Sequence, residues 1–124
     1  MCQHLGIETD DEIIPRIAAG FGGGIGNTGA VCGAVIGGVM GLGLGMKQGE
    51  SMEDMMAALT TAGEFSRRFE ARMGSVHCGE LTGADLTTPA GVAEYMSSDT
   101  PLTVCFPAVN TAYDLVREML DETQ

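Results

Sequence analysis

The sequence predicts an all-α fold: a compact helical bundle packed around a glycine-rich, buried central helix. Three observations predict it. Residues 20–46, GFGGGIGNTGAVCGAVIGGVMGLGLGM, carry no charge between Arg16 and Lys47. Within them Gly29, Gly33, Gly37, Gly41 and Gly45 recur every four residues, which on a helix is one face. Beyond them, apolar residues return at helical spacing over residues 52–73 and again towards the C-terminus, and no stretch alternates as a half-buried strand would.

Each glycine inside a helix costs roughly 0.8–1 kcal/mol relative to alanine. Repeating them down one face implies a return, which is close approach by another backbone or a flat cofactor. Val31, Cys32, Ala34, Val35, Ile36, Val39, Met40, Leu42, Leu44 and Met46 fill the other faces, so the helix is expected to be buried nearly all round. Asn27 and Thr28 are the expected cap of this helix. The run is long enough for a membrane span, and small residues four apart are a membrane packing signature. It lacks Trp and Tyr at its ends, however, and Gly and Ala add little hydrophobicity, so a membrane is not the expected surrounding.

Before this run, the segment Cys2-Gln3-His4-Leu5-Gly6-Ile7 reads as the last turn of a helix closed by Gly6. That is unusual at a chain start and fits a late start or a truncation at Met1. Thr9 with Glu12 forms a capping-box pattern, and Asp10, Asp11 and Glu12 suit a helix N-terminus. A short helix follows over residues 11–20, with Pro15 in its first turn. Residues 24–29 match G-x-G-x-x-G, but a dinucleotide site needs a strand before that motif. A helical pattern precedes it here, and no P-loop lysine follows, so no nucleotide is expected.

After the central helix, Ser51 and Asp54 cap a helix over residues 52–73. Its expected core stripe is Met55, Met56, Leu59, Ala62, Phe65, Phe69 and Met73, and Gly74 stops it. Arg67, Arg68 and Arg72 in its last turns read as a solvated, dipole-complementing face. Residues 75–88 read as loop and short turns. Thr88-Pro89 opens a short helix to about Met96. Residues 97–106 read as loop, and Pro107 starts a final helix with the stripe Val109, Ala112, Tyr113, Val116, Met119 and Leu120.

At 124 residues the chain fits one domain with a real core. Its net charge of −11 argues against nucleic acid or anionic membrane surfaces as partners. The N-terminus lacks a basic segment followed by an apolar one, so the expected compartment is the cytoplasm, where thiols stay reduced. Four cysteines there (Cys2, Cys32, Cys78 and Cys105) favour metal, cluster or redox roles over structural disulfides. No C-x-x-C and no C-x-x-C-H is present, which leaves haem attachment without a motif.

Cys32, Cys78 and Cys105 share one placement: each is expected at or just before a helix N-terminus, where free N–H groups and the dipole favour a thiolate. Three such thiolates can converge on iron or zinc, or act as redox-active thiols. Glycines such as Gly33 and Gly79 expose N–H donors of the kind that cluster sulfurs accept from. His77, beside Cys78, is a candidate ligand or thiolate partner, although most histidines in such positions, His4 included, are surface residues. Cys2 sits on the chain end. The plain alternative is that each cysteine is a small buried hydrophobe.

Cys32-Gly33-Ala34-Val35-Ile36-Gly37 resembles the CGAxxG motif of the C-GCAxxG-C-C family of redox-active proteins. The preceding residues 20–26, the block at residues 74–86 around Cys78, and Cys105 opening the last helix are similar to the same family in the same order. The resemblance covers residues 5–122 and implies a single helical domain. The family pattern has four cysteines, the first in an N-terminal helix that Cys2 matches poorly. The family is similar to the cluster-bearing module of split-Soret cytochromes, which implies an iron–sulfur site and, without a haem motif, that part alone. The expectation is a redox or electron-transfer protein holding an iron–sulfur cluster or other thiolate-bound metal at Cys32, Cys78 and Cys105, with Cys2 or His77 as a fourth ligand. Two alternatives stand beside it: a metal-free thiol/disulfide protein, and a non-catalytic module that dimerises through its glycine face. A homodimer and a redox partner protein are the expected partners.

Overall fold

The structure, a computed structural model, describes residues 1–10, 12–47 and 49–123. It is all-α. In chain order the helices are α1 (Cys2–Leu5), α2 (Ile13–Ala18), α3 (Gly22–Ile25, a kinked, loop-like turn in which Gly23 and Gly24 have left-handed φ of 65° and 71°), α4 (Gly33–Gly45), α5 (Met52–Met73), α6 (Cys78–Thr82), α7 (Pro89–Ser97) and α8 (Phe106–Glu122). A 3₁₀ turn, Ala19–Phe21, joins α2 to α3. A wide turn, Pro101–Cys105, leads into α8. Among the described residues no strand forms, and the nearest approach to one is an isolated antiparallel bridge between Val31 and His77. No helix of the described residues is long and apolar enough to cross a membrane.

The core is a three-helix layer of α4, α5 and α8. Val35 and Leu42 of α4, Phe65 and Phe69 of α5, and Ala108, Ala112, Leu115, Val116, Met119 and Leu120 of α8 form one buried cluster. Glycines set the contact between α4 and the others. A Cβ on Gly38 would lie 2.8 and 2.9 Å from the ring carbons Cε1 and Cε2 of Phe65. A Cβ on Gly41 would lie 3.6 Å from Val116 Cγ1, and one on Gly45 would come within 2.8 Å of Leu120 Cδ2. Leu120 follows Val116 by the step that separates Gly45 from Gly41, so α4 and α8 run parallel and in register. The ion pairs Arg68–Glu122 and Arg72–Glu118 descend one helix as they climb the other, so α5 runs antiparallel to α8. This handedness of direction decides where the cysteines meet.

Several expectations change. The central helix begins at Gly33, four residues later than expected, and Cys32 rather than Asn27 or Thr28 precedes it. Thr28 instead donates its hydroxyl proton back to the carbonyls of Gly24 and Ile25. Gly29 therefore lies outside the helix, with φ 73°. Burial is one-sided: Val35, Gly38, Gly41 and Leu42 are buried, while Gly37 and Leu44 are exposed. The glycine that Phe65 packs on is Gly38, not a member of the four-residue ladder.

The first half of the α5 stripe is also outside the core. Met55, Met56 and Leu59 are more than half exposed, and burial starts only at Phe65 and Phe69. Length explains it. At about 1.5 Å per residue, α5 extends about 33 Å, against about 25 Å for α8 and about 20 Å for α4. Residue 68 already sits opposite Glu122 at the end of α8, so the earlier turns of α5 project past their partners. The α8 stripe holds at Ala112, Val116, Met119 and Leu120. Val109 and Tyr113 are exposed, and Ala108 and Leu115 are buried in addition.

Caps behave more simply. Ser51 accepts from the Asp54 amide at 3.0 Å, Thr88 accepts from Gly91 at 3.0 Å with Pro89 at the first helical position, and Gly74 ends α5 with φ 95°. Gly6 closes α1 in the left-handed region. At α2 the acceptor is the Asp10 carboxylate, bonded by the Glu12 amide at 2.9 Å, rather than Thr9; Asp11 lies outside the described residues. Residues 78–82 form one of the short turns expected after Gly74, and residues 101–105 form a helical turn where loop was expected. The arginines of α5 are paired rather than merely solvated, Arg67 and Arg68 both with Glu64.

Candidate functional site

The fold brings Cys32, Cys78 and Cys105 to one end of the bundle. Cys32 precedes α4 and Cys105 precedes α8, and because those helices are parallel their N-termini lie together. The antiparallel α5 arrives at that same end, and the chain after Gly74 passes it. There the segment pairs with residues before α4. The Cys32 amide donates to the Val76 carbonyl at 2.8 Å, and the Cys78 amide to the Ala30 carbonyl at 2.7 Å. The Gly79 amide adds a bond to Gly29 at 3.1 Å.

This pairing sorts side chains by alternation. Val31 and His77 are opposite each other at the bridge, so Cys32 and Cys78 belong to the other side. Both line a cavity of about 360 Å³ together with Cys105, Gly23, Gly24, Gly33, Tyr95 and Met96. Cys78 is buried, and Cys32 and Cys105 are partly exposed. His77 is exposed and does not line the cavity. Neither does Cys2. It lies in a neighbouring groove of about 610 Å³ that shares Gly33, Ala34 and Val109 with the cysteine cavity. His4 stacks edge-on against Tyr113, with centroids 6.2 Å apart.

Gly24 is what lets Cys78 in. A Cβ there would meet Cys78 Cβ at 2.7 Å and the Ala30 amide nitrogen at 2.6 Å, and Gly24 has φ 71°. No other residue type satisfies both conditions cheaply. The G-x-G-x-x-G-like loop is therefore a collar for a cysteine, preceded by helical segments rather than by a strand.

The Cys78 thiol is pushed up from its ordinary value by burial first, and then by the neighbouring Cys32 and Cys105; a hydrogen bond from Thr82 works the other way. Burial thus opposes the ionisation that a helix N-terminus is expected to favour, and helix α6 has only five residues to supply a dipole. Three thiolates in one partly dry pocket repel one another, and a bound cation is what relieves that repulsion. The donor set fits a thiolate-bound group in this respect. Among the described residues, no three His, Cys, Asp or Glu side chains are grouped as ligands of a single metal ion.

Sequence reasoning missed Tyr95. Its hydroxyl lies 2.9 Å from Cys105 Sγ, and the ring lines the cavity. Its ionisation is pushed up to about 12, by burial first and then by the hydrogen bond to Cys105. The signal was the placement of a lone tyrosine on a short helix ten residues before a cysteine, which has no meaning until the chain is folded. The wide turn Pro101–Cys105, in which the Phe106 amide bonds to the Pro101 carbonyl, was also invisible. Such turns often accompany functional positions.

No curated protein and no solved structure matches the chain. One family model does, over residues 1–119, under the description "Putative redox-active protein (C_GCAxxG_C_C)". The cysteines that converge on the cavity, the CGAVIG run that opens α4 and the length of the match agree: the chain belongs to the C_GCAxxG_C_C family.

Proposed function

We propose that the protein is an electron-transfer protein whose Cys32, Cys78 and Cys105 hold an iron–sulfur cluster. The observation that carries this reading is the convergence of the three cysteines, from three separate segments, on one cavity. Spacing favours a cluster over the simpler thiol chemistries. Cys32 and Cys78 are diagonal neighbours across an antiparallel bridge, where Cα atoms are typically ~7–8 Å apart. Disulfides usually need ~4.4–6.8 Å. A single zinc draws its sulfurs to about 2.3 Å from one point, and the described residues include no such grouping. A cluster, with several irons between its ligands, accepts a wider set. When bound, it supplies one-electron uptake and release.

The chain's own residues do the rest. Gly24 admits Cys78, the amide pairing between residues 30–32 and 76–78 fixes two sulfurs, and Val92, Met96 and Leu86 line the cavity with apolar surface that limits water. Three cysteines fall one short of a four-thiolate set. Cys2 is the remaining thiol of the chain, in the groove that adjoins the site. An oligomer through the glycine face is a separate proposal, supported by the exposure of Gly37.

Anaerobic reconstitution with ferrous iron and sulfide tests the reading by visible absorption. The expected result is a brown protein whose absorption bleaches on reduction and returns on oxidation. A colourless, iron-free product would overturn it. If free thiols in that product disappear and return in pairs, with two protons and two electrons passing to a protein disulfide acceptor, the thiol/disulfide alternative replaces it.

A further inference from the structure

We propose that Tyr95 is a positioning residue for Cys105, donating a hydrogen bond to its Sγ and thereby setting the electron affinity of the sulfur centre. This rests on the reading of the cysteine cavity as the redox site. The contact is 2.9 Å between Tyr95 Oη and Cys105 Sγ, in a partly buried setting. A phenol is protonated at neutral pH and a ligating thiolate has no proton, so the direction of donation is fixed whenever Cys105 is ionised.

The fold holds the donor in place from both sides. Thr88 caps α7 through the Gly91 amide, and a Cβ on Gly91 would collide with the Asp85 main chain, so α7 is pinned to the preceding loop. Val92, Tyr95 and Met96, three residues of α7, line the cavity. A donor to a ligating sulfur stabilises the more negative, reduced state and raises the potential. No proton transfer is needed, because the hydrogen bond persists in both states.

The test is Tyr95→Phe, which keeps the ring and removes the hydroxyl. In metal-free protein, the rate of iodoacetamide alkylation at each cysteine is measured at neutral pH by peptide mass spectrometry. A hydrogen bond to a charged group is worth about tenfold, so Cys105 alkylation slows by about tenfold. Cys32 and Cys2 keep their rates. An unchanged Cys105 rate, or an equal change at every cysteine, overturns the proposal. In reconstituted protein, the midpoint potential falls in Tyr95→Phe, because the bond to the more negative, reduced state is the stronger one, and an unchanged potential overturns the proposal as well. If the wild type takes up no iron, the cluster reading fails, yet the alkylation arm still decides on Tyr95. Should Y95F fold poorly, Cys105→Ala serves instead. The tyrosine Raman doublet, which responds to hydrogen bonding at the phenol oxygen, then moves away from the ratio of a strong donor. A doublet that stays put contradicts the pairing.

Discussion

Two glycine-rich regions lie next to each other in this chain and use glycine for different purposes. In the loop before α4, glycine is needed for backbone conformation and for admitting a cysteine: Gly24 has φ 71° and stands against Cys78. In α4, the backbone is ordinary helix, and glycine is needed where large side chains press on it, as Phe65 does on Gly38. The first region shapes the site and the second shapes the core. Composition alone cannot tell them apart, but substitution can.

The largest effect is expected at the core. Phe65→Ala removes a fully buried ring that fills the space over Gly38, and should cost about 3–5 kcal/mol, read as a lowered denaturant midpoint. Gly38→Val attacks the same contact from the other side. Phe65 has no exposed direction to move in, so overpacking should cost about 1–3 kcal/mol or more. Both should lower stability first and affect the cysteines only through unfolding.

Gly24→Ala reverses that order. Strain in the left-handed region costs about 1–2 kcal/mol, and the clash of the new Cβ with the Ala30 main chain adds to it. The displaced Cys78 should nevertheless abolish iron uptake in protein that remains folded by circular dichroism. If Gly24→Ala keeps normal iron uptake, the loop is not a collar for the site.

A smaller change is expected at Gly37, where an added Cβ meets nothing within 4 Å and the residue is exposed. Within one chain, Gly37→Ala should stabilise by about 0.5–1 kcal/mol through helix propensity. Gly37 belongs to the glycine face that the sequence suggests as a dimer surface. A loss of stability or of oligomer in Gly37→Ala would support that dimer.

The smallest effect lies at the surface. The Glu64 carboxyl is held below its ordinary value by hydrogen bonds from Arg68 and then Arg67. A depressed carboxylate adds stability above its unfolded pKa and loses it as pH falls through the folded value. Glu64→Gln should therefore flatten the acid side of the stability profile slightly, and salt should shrink the difference because the pairs are exposed.

These contrasts show what the sequence could carry. Helix ends were legible where one residue decides them: Ser51, Pro89 and Gly74 act locally, within one turn. The three core helices were legible from periodicity, and in α8 Ala112, Val116, Met119 and Leu120 face inward as expected, while Ala108 and Leu115 rather than Val109 and Tyr113 complete the buried side. The α5 stripe misled because periodicity reports which side is apolar, not how far the partner helix extends. Cys32, Cys78 and Cys105 were singled out from their places before helices, but the reason they meet is topological: α4 and α8 run parallel, and α5 returns the chain between them. The exposure of His77 follows the commoner placement of such a histidine, whereas the contact of Tyr95 with Cys105 depends on helix docking, which a linear reading does not contain.

Iron and acid-labile sulfide content of anaerobically reconstituted wild type, compared with Cys32→Ser, Cys78→Ser, Cys105→Ser and Cys2→Ser, tests the central claim most directly. The account predicts that the wild type binds both elements and that each of the first three variants loses them while remaining folded; the Cys2 variant reports separately on the fourth ligand. Wild-type protein that binds neither, or three variants that bind as the wild type does, would contradict it.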